Sequence, residues 1–300
     1  MADRNLTLLI DAASLIYRAL FAIPDTVSTK EGKPINAAWG FLDMTARLVS
    51  DHDPAFLACA DDTDWRPEWR VELLPAYKSM RAEEGSAQEA AEERLEPQLP
   101  ILFEILERLD IKLVGYPGYE AEDVIGSLVP RAPGEVAIVS GDRDLFQLVH
   151  DPDVYVLFPR RGVSQLDKVD ETYIATKYGI PGRAYKDFAV LRGDPSDGLP
   201  GVRGIGEKLA AALISRYGSL DAVIEAAQGS GEGAALGKVR RDLDYVKRAS
   251  KVVAIPTDLP LPDVDLTRPR IEPDDDLIEF ATRSGLGGPV KRLAAALAKT

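Results

Sequence analysis

Leu6-Thr-Leu-Leu-Ile-Asp11, near the start of the chain, is a short apolar run that ends in a carboxylate. The pattern recurs at Ala55-Phe-Leu-Ala-Cys-Ala60 and at Glu135-Val-Ala-Ile-Val-Ser140, and an acid follows each of these runs within two residues. Short apolar runs that end in a polar turn are typical of buried strands, and stretches of helical periodicity separate these three. The alternation predicts an α/β fold with a mostly parallel central sheet flanked by helices.

Acids gather at the predicted carboxyl edge of this sheet, where open α/β sheets place their active sites. Converging carboxylates repel one another and need cations, and oxygen ligands suit the hard cations Mg²⁺ and Mn²⁺. Because the chain has only two histidines and one cysteine, we do not expect zinc chemistry. A carboxylate site with several metals and no nucleophilic side chain is the arrangement that hydrolyses phosphodiesters. The candidate metal ligands are Asp11, Asp61, Glu120, Glu122, Asp123, Asp142, Asp144, Asp194 and Asp197.

Each acidic motif also has a purely structural interpretation when it is taken alone. Glu120 and Asp123 would suit the first turn of a helix, where the helix dipole favours acids. Asp142 could cap the helix that follows a strand, and Asp194 before a proline is an ordinary turn signal. The clusters all fall at successive element ends, and this coincidence favours the metal site over a series of unrelated caps.

The composition of the chain limits its class. Its 300 residues contain a single cysteine, Cys59, in an apolar run, which excludes a disulfide framework and fits a reducing cytoplasm. The start of the chain lacks the features of a signal peptide and no apolar run is long enough to span a membrane, so we expect a cytoplasmic protein without a membrane partner. The net charge of −13 alone argues against nucleic acid, but nine of the 49 acids are the candidate ligands, and divalent ions would offset several of them.

The chain changes character near residues 170 to 180, where the strand signal ends and short helices broken by glycine and proline begin. We therefore predict a metal-binding core over residues 1–175 and a helical subdomain over residues 176–300. Within the core, residues 86–109 carry the apolar stripe of one long helix. The preceding residues 62–85 are charged and have little strand pattern.

A glycine-rich motif, Leu199-Pro-Gly-Val-Arg-Gly-Ile-Gly-Glu-Lys-Leu-Ala210, opens an apolar helix in the second part of the chain. Glycines let a backbone approach a phosphate closely, and a helix N-terminus attracts anions. This helix-hairpin-helix pattern grips the backbone of one DNA strand without reading bases. The alternative is a glycine-rich turn between two packed helices. The residues that would contact DNA here are Gly201, Arg203, Gly204, Gly206 and Lys208.

These motifs together resemble the bacterial and phage 5′-nuclease family, which comprises flap endonucleases and the 5′-exonuclease domain of DNA polymerase I. The resemblance runs from residue 8 to about residue 290, and no polymerase domain follows, so we expect a stand-alone enzyme with the PIN-like 5′-nuclease fold. The most specific match is Gly193-Asp-Pro-Ser-Asp-Gly-Leu-Pro-Gly-Val-Arg-Gly-Ile-Gly206. Other matching segments are Leu9-Ile-Asp-Ala12 with Tyr17-Arg18, Ala76-Tyr-Lys-Ser-Met-Arg81, Gly118-Tyr-Glu-Ala-Glu-Asp123 and Ser140-Gly-Asp-Arg-Asp-Leu-Phe-Gln-Leu148.

The resemblance implies a role for each candidate residue. Lys78 and Arg81 resemble the basic residues near the scissile phosphate, at the foot of a helical arch that would span residues 62–95. Tyr17 resembles a residue that stacks on the base next to the cut, and Arg18 and Arg66 join the hairpin residues as DNA contacts. One metal set would use Asp11, Asp61, Glu120, Asp123 and Asp142, and the other Asp144, Asp194 and Asp197, with Glu122 nearby.

Two departures from the family pattern stand out. The family usually has aspartate where this chain has Glu122, whose longer side chain would place a metal differently or hold it through water. The family often has asparagine where this chain has Gly198, which we expect to loosen the turn. The resemblance also implies two or three divalent ions, Mg²⁺ or Mn²⁺, and a monovalent cation held by backbone carbonyls of the hairpin.

The implied activity is metal-dependent 5′-3′ exonuclease and flap-endonuclease cleavage in DNA replication and repair. The implied substrates are 5′ flaps and 5′ ends of DNA, including RNA-containing ends, and we expect a monomer. Two alternatives are a catalytically weakened protein of the same fold that binds branched DNA, and a PIN-like ribonuclease.

Overall fold

A six-stranded sheet forms the centre of the computed structural model, which describes residues 5–229 and 233–299. The strands are β1 (Leu6–Asp11), β2 (Phe56–Ala60), β3 (Lys112–Val114), β4 (Glu135–Val139), β5 (Val154–Pro159) and β6 (Leu166–Val169). Their order in the sheet is β3-β2-β1-β4-β5-β6, and every neighbouring pair is parallel except β5 and β6. The predicted mostly parallel α/β fold is confirmed.

The register aligns the carboxyl ends of the central strands. Asp11 of β1 lies beside Ala60 of β2, and Ile10 lies beside Val139 of β4. The strand order reverses at β1, because β2 lies on one side of it and β4 on the other. A reversal of this kind leaves a crevice outside the carboxyl ends of the strands. The fold therefore presents the acids after β1, β2 and β4 to one common space.

Helices cover both faces of the sheet. They are α1 (Ala12–Ala22), α2 (Asn36–His52), α3 (Glu68–Leu73), α4 (Ala87–Leu95), α5 (Leu99–Arg108), α6 (Ala121–Leu128), α7 (Glu171–Tyr178), α8 (Tyr185–Arg192), α9 (Glu207–Tyr217), α10 (Leu220–Gln228), α11 (Ala234–Arg241), α12 (Leu243–Val252), α13 (Asp275–Arg283) and α14 (Gly287–Leu297). Within residues 5–229 and 233–299, none of these helices combines the length and apolar character that crossing a membrane requires.

The single helix predicted over residues 86–109 is wrong, because the chain forms α4 and α5 with a break at residues 96–98. Pro97 lacks the amide hydrogen that a continuous helix would need at this position, and Pro100 suits the first turn of a new helix. The break has a structural use. The side-chain oxygen of Gln98 accepts a hydrogen bond from the amide of Ala37 (2.9 Å), which caps the start of α2.

Two elements were missed in the sequence. Strand β6 is short, with two charged residues between two apolar ones, and only its antiparallel pairing with β5 shows it. Helix α13 follows a long extended segment and begins with Asp274 as its N-cap. Residues 62–85 lack strands as predicted and fold as α3 followed by a short 3₁₀ turn, Ser79–Arg81.

Two apolar clusters lie on opposite faces of the sheet. The first includes Leu9 and Ala58 and extends to the helices between residues 171 and 252. The second includes Ile10 and Cys59 and extends to α13 and α14, and α14 packs along α2. The last two helices thus pack against α2 and α5 rather than against the helices that immediately precede them, while the predicted boundary at residue 175 stays a prediction.

Candidate active site

A cavity of about 510 Å³ opens at the carboxyl edge of the sheet. Its lining combines acids from five separate places in the chain with basic and aromatic side chains from residues 62–95 and α1. The acids that line it are Asp11, Asp62, Glu120, Glu122, Asp142, Asp194 and Asp197, and the other predicted site residues that line it are Tyr17, Lys78 and Arg81. The structure therefore brings most of the predicted site residues to one cavity, and their roles stay predictions.

The tightest acidic group consists of Glu122, Asp142 and Asp144. Each offers one oxygen, and these oxygens all lie within 4.8 Å of one another. Glu122 comes from the first turn of α6, whereas the other two follow β4. Burial, and then the neighbouring acids, raise the pKa of Asp144 well above its ordinary value. Three carboxylate oxygens that converge and repel one another in a buried place are suited to bind a hard divalent cation.

Asp11 lies at the end of β1 and is held in place by short hydrogen bonds. Its carboxylate accepts from the amide of Ser14 (2.9 Å) and from the hydroxyl of Ser140 (2.5 Å), so it also ties β1 to β4. Burial, followed by the charge of Asp62, raises the pKa of Asp11 to about 7. A carboxylate that is costly to ionise near neutral pH would gain from a cation beside it.

The structure places Asp62, and not the predicted Asp61, in the lining of this cavity. The carboxylate of Asp62 accepts a hydrogen bond from the amide of Ala121 at the start of α6 (2.6 Å), and burial raises its pKa to about 6. Asp61 lies at the border of a neighbouring pocket under α4. The reason is the two-residue period of a strand, because alternate side chains of β2 face opposite sides of the sheet.

Counting along the strands would have identified Asp62. Leu9 and Ala60 belong to the first apolar cluster, so Asp11 and Asp62 continue the face of the sheet that carries this cluster. Asp61 instead continues the face of Cys59, which belongs to the second cluster. The prediction took the first acid after the strand without counting faces.

Arg70 is a second site residue that was missed in the sequence. Its guanidinium is fully buried and forms ion pairs with Glu120 (2.6 Å), Glu122 (2.9 Å) and Asp123 (2.6 Å). Its Nε donates to the backbone oxygen of Val252 at the end of α12 (3.1 Å). One cation thus balances three acids beside the cavity, and no sequence motif marks it.

Glu120 and Asp123 have partners for both of their carboxylate oxygens. Asp123 accepts from Arg70 and from the amide of Glu120 (3.1 Å), which completes a capping box at the start of α6. Glu120 accepts from Arg70, from the hydroxyl of Tyr77 (2.6 Å) and from Lys78. These contacts match the structural interpretation of the motif, and Glu122 is the member of the three that joins the metal-sized group.

Lys78 and Arg81 face the acids from the opposite wall of the cavity. Lys78 is buried, adopts a left-handed backbone conformation (φ 48°) and forms an ion pair with Glu120. Burial acts to lower its pKa, but the carboxylates of Glu120 and Asp197 outweigh burial and raise it, so the ammonium stays charged. Arg81 forms an ion pair with Asp197 (2.7 Å). Both cations are placed to hold an anion against the acidic wall.

Gly198 permits a close backbone contact between the turn of the acids and the segment of these cations, while the expectation that it loosens the turn stays a prediction. Its φ is 72°, and a Cβ atom there would overlap the carbonyl oxygen of Ala76. The amide of Lys78 donates to the carbonyl of Asp197 (2.9 Å) across this contact. Glycine therefore lets the segment of Lys78 lie directly against the turn of Asp194 and Asp197.

Replacing Gly198 by alanine is expected to lower the free energy of unfolding by about 2–4 kcal/mol, because backbone strain and overlap with Ala76 add together. Gly179 offers a matched control, since it has nearly the same φ (71°) with nothing within 4 Å of a Cβ atom. Gly179→Ala should cost only about 1 kcal/mol. Urea denaturation of both variants measures the difference, and equal losses would contradict the contact.

The remaining predicted DNA contacts lie in two places, near the cavity and in the hairpin. Arg66 donates to the backbone oxygens of Tyr77 (2.7 Å) and Pro75 (3.2 Å), so it braces the chain between α3 and Lys78. Arg18 is half-buried beside Gly141, near the cavity. In the hairpin, Arg203, Gly204, Gly206 and Lys208 are exposed, whereas Gly201 is buried and donates to the hydroxyl of Tyr245 (2.9 Å).

The raised pKa values predict how pH affects the metal-free protein. The pKa of Asp11 is about 7 and that of Asp62 about 6 when folded, against 3.8 without the fold, so the folded state binds more protons in this window. Stability should then fall as pH rises from about 5 to about 7.5 in EDTA, and Mg²⁺ should raise the melting temperature more at the upper pH. Differential scanning fluorimetry checks both trends, and a melting temperature that rises with pH in EDTA would contradict them.

Comparison with known proteins agrees with this architecture. A family model described as "5'-3' exonuclease, N-terminal resolvase-like domain" matches residues 6–179, and one described as "5'-3' exonuclease, C-terminal SAM fold" matches residues 180–276. A 5′-3′ exonuclease of Streptomyces coelicolor is 48% identical over 97% of this chain and 99% of its own length. A 5′-3′ exonuclease of Mycobacterium tuberculosis is 39% identical over 98% of both chains.

A solved structure shares the fold at low sequence identity. The flap endonuclease of bacteriophage T5, crystallised with DNA and metal ions, aligns with a TM-score of 0.67 and 17% identity over 98% of this chain and 100% of its own. The resemblance inferred from the motifs is confirmed by the family models and by the sequence relatives. This chain belongs to the 5′-3′ exonuclease family of nucleases.

Proposed function

We propose that this protein hydrolyses phosphodiester bonds at 5′ ends of duplex DNA and at the junctions of 5′ flaps, with divalent metal ions as cofactors. The observation that carries this proposal is the group of Glu122, Asp142 and Asp144, whose oxygens lie within 4.8 Å of one another in the region of the basic pair Lys78 and Arg81. Metal-binding acids beside fixed cations are suited to hold a phosphate and the charge that develops on it.

We assign the metal ligands to acids that line the cavity, together with Asp144, whose oxygen lies within 4.8 Å of those of Glu122 and Asp142. Glu122, Asp142 and Asp144 would hold one ion, and the remaining acids of the wall, Asp11, Asp62, Asp194 and Asp197, would complete the metal set. When bound, divalent ions lower the pKa of a coordinated water and stabilise the leaving oxygen. In this assignment Glu120 and Asp123 act as positioning residues, because their oxygens hold Arg70, Tyr77 and Lys78.

Lys78 and Arg81 would bind the scissile phosphate. Lys78 donates one bond to Glu120 and one to the backbone oxygen of Trp65 (3.2 Å), which aims its ammonium along the cavity wall. Arg81 pairs with Asp197 (2.7 Å), so its guanidinium would hold the phosphate beside an acid that could hold a metal ion. Tyr17 lines the same cavity and is held by Gln88 (2.5 Å), so its ring would stack on the base beside the cut.

Several finer properties belong to the same proposal. The ions used are Mg²⁺ or Mn²⁺, which suit carboxylate oxygens. Residues 62–95 form the arch through which a 5′ strand passes, and residues 176–300 bind the duplex behind it. We propose that the protein acts as a cytoplasmic monomer and that RNA-containing 5′ ends are also substrates, because contacts to backbone phosphates do not distinguish the two sugars.

Cleavage of a 5′-labelled flap duplex in Mg²⁺ or Mn²⁺ tests the proposal. Cutting near the flap junction is expected, and both EDTA and Asp142→Asn should abolish it. Tight binding without cutting in either metal would favour the branched-DNA binder. Cutting of single-stranded RNA in preference to the flap would favour the PIN-like ribonuclease.

A further inference from the structure

The hairpin at residues 201–206 presents two backbone carbonyls in its exposed part. Val202 and Ile205 are buried and anchor the turn, whereas Arg203 and Gly204 are exposed between them. Carbonyl oxygens carry partial negative charge, which would oppose a DNA phosphate that approaches the same turn. The hairpin therefore needs a positive charge beside these oxygens before it can hold a DNA backbone.

Helix α11 supplies this charge from across the turn. The ammonium of Lys238 donates to the carbonyl of Gly204 (2.8 Å), and the guanidinium of Arg241 donates to the carbonyl of Arg203 (2.8 Å). Gly204 has a φ of 84°, and a Cβ atom there would lie 3.3 Å from Nζ and Cε of Lys238. The end of the lysine side chain thus packs directly against Gly204.

Asp242 fixes the other side of the turn. Its carboxylate accepts from the amide of Arg203 (2.9 Å) and from Nε and Nη2 of Arg241 (2.8 and 2.7 Å). Asp242 is paired with Arg241, whereas Lys238, like Lys208, forms no ion pair with an acid in the described part of the chain. An ammonium has three donors, and one of them is used by Gly204.

The monovalent cation expected at the hairpin does not fit this arrangement, because both exposed carbonyls already accept bonds from cationic side chains. We propose that Lys238 provides the hairpin's cation, and that its two remaining N–H donors bind a backbone phosphate of the DNA held there. Arg241 and Asp242 act as positioning residues for the same turn. This inference rests on the proposed function, since it names how that enzyme grips its duplex.

Fluorescence anisotropy with a labelled flap duplex tests the inference, using the Asp142→Asn protein so that the DNA stays intact. Lys238→Met keeps the stem and removes the charge, and it should weaken binding about tenfold, as loss of a charged hydrogen bond does. Lys238→Arg should stay within about threefold of the parent. Lys112→Met is the matched control, because Lys112 pairs with Asp110 on the far edge strand, and it should leave affinity unchanged.

Replacing the monovalent cation of the buffer tests the inference by DNA affinity without any substitution in the protein. At constant chloride, replacing K⁺ by tetramethylammonium should leave the affinity of the parent unchanged within about twofold, since the required charge is covalently attached. A loss of about tenfold on removing K⁺, or a Lys238→Met protein that binds as the parent does, would overturn the inference. With Asp142 intact, flap cleavage at saturating DNA should proceed at the same kcat in Lys238→Met with a raised KM. Absence of any flap binding or cleavage by the unmodified protein would instead refute the proposed function.

Discussion

Replacing Asp62 by asparagine is expected to lower flap cleavage by about 10²- to 10³-fold, because it removes a charged oxygen from the wall that would hold the metal ions. Asp61→Asn, one residue earlier, should change the rate by less than about threefold, because Asp61 does not line the cavity. The two substitutions are chemically identical and adjacent, so they form a matched pair. Single-turnover rates at saturating Mg²⁺ measure the effect.

The pair also separates a metal role from a structural one. The amide oxygen of an asparagine in place of Asp62 can still accept the hydrogen bond from the amide of Ala121, and the substitution removes a buried charge, so Asp62→Asn should not lower the melting temperature measured in EDTA. It should, however, raise the Mg²⁺ concentration needed for half-maximal rate. An Asp61→Asn protein that loses as much activity as Asp62→Asn would refute the assignment by strand face.

Arg70→Met is expected to lower the free energy of unfolding by about 3–5 kcal/mol, because it leaves the buried Glu122 and Asp123 without a cation and Glu120 with Lys78 alone. Arg70 is fully buried and pairs with Glu120, Glu122 and Asp123. Arg94→Met serves as the control, since the pair of Arg94 with Asp25 is largely exposed and should contribute less than about 1 kcal/mol. Urea denaturation in EDTA compares the two.

Metal ions should partly compensate for the loss of Arg70. Removal of the guanidinium increases the repulsion around Glu122, so Mg²⁺ should raise the melting temperature of Arg70→Met by more than that of the unmodified protein. A variant that unfolds with less than about 1 kcal/mol of lost stability, or one that gains nothing extra from Mg²⁺, would show that the acids are balanced by another group.

The fold was predictable because its signals are local. The apolar runs of β1, β2 and β4 and the acids that follow them are each read within six residues, and the structure brings Asp11, Asp142 and Asp194 to one cavity as expected. The break between α4 and α5 also has a local sequence signal, Pro97. The prediction of one helix failed because it followed only the apolar stripe. Asp62 could have been found by counting alternate residues from Ala60.

Arg70 could not be predicted because its partners are remote. Its acids lie 50 to 53 residues away and its backbone partner lies 182 residues away. An arginine in a charged segment has no periodicity or motif that indicates full burial. Strand β6 was missed for a related reason, since its largely charged sequence becomes a strand only through pairing with β5.

Helix α12 connects the hairpin to the acidic cavity. Near its start, the hydroxyl of Tyr245 accepts a hydrogen bond from the amide of Gly201 in the hairpin. At its end, the carbonyl of Val252 accepts a hydrogen bond from Arg70 beside the acids. Seven residues of α-helix span about 10 Å, the length of roughly three stacked base pairs. The helix thus fixes the separation between the hairpin and the acidic cavity, so under the proposed function this separation would set where along a bound strand the cut falls, whatever its base sequence.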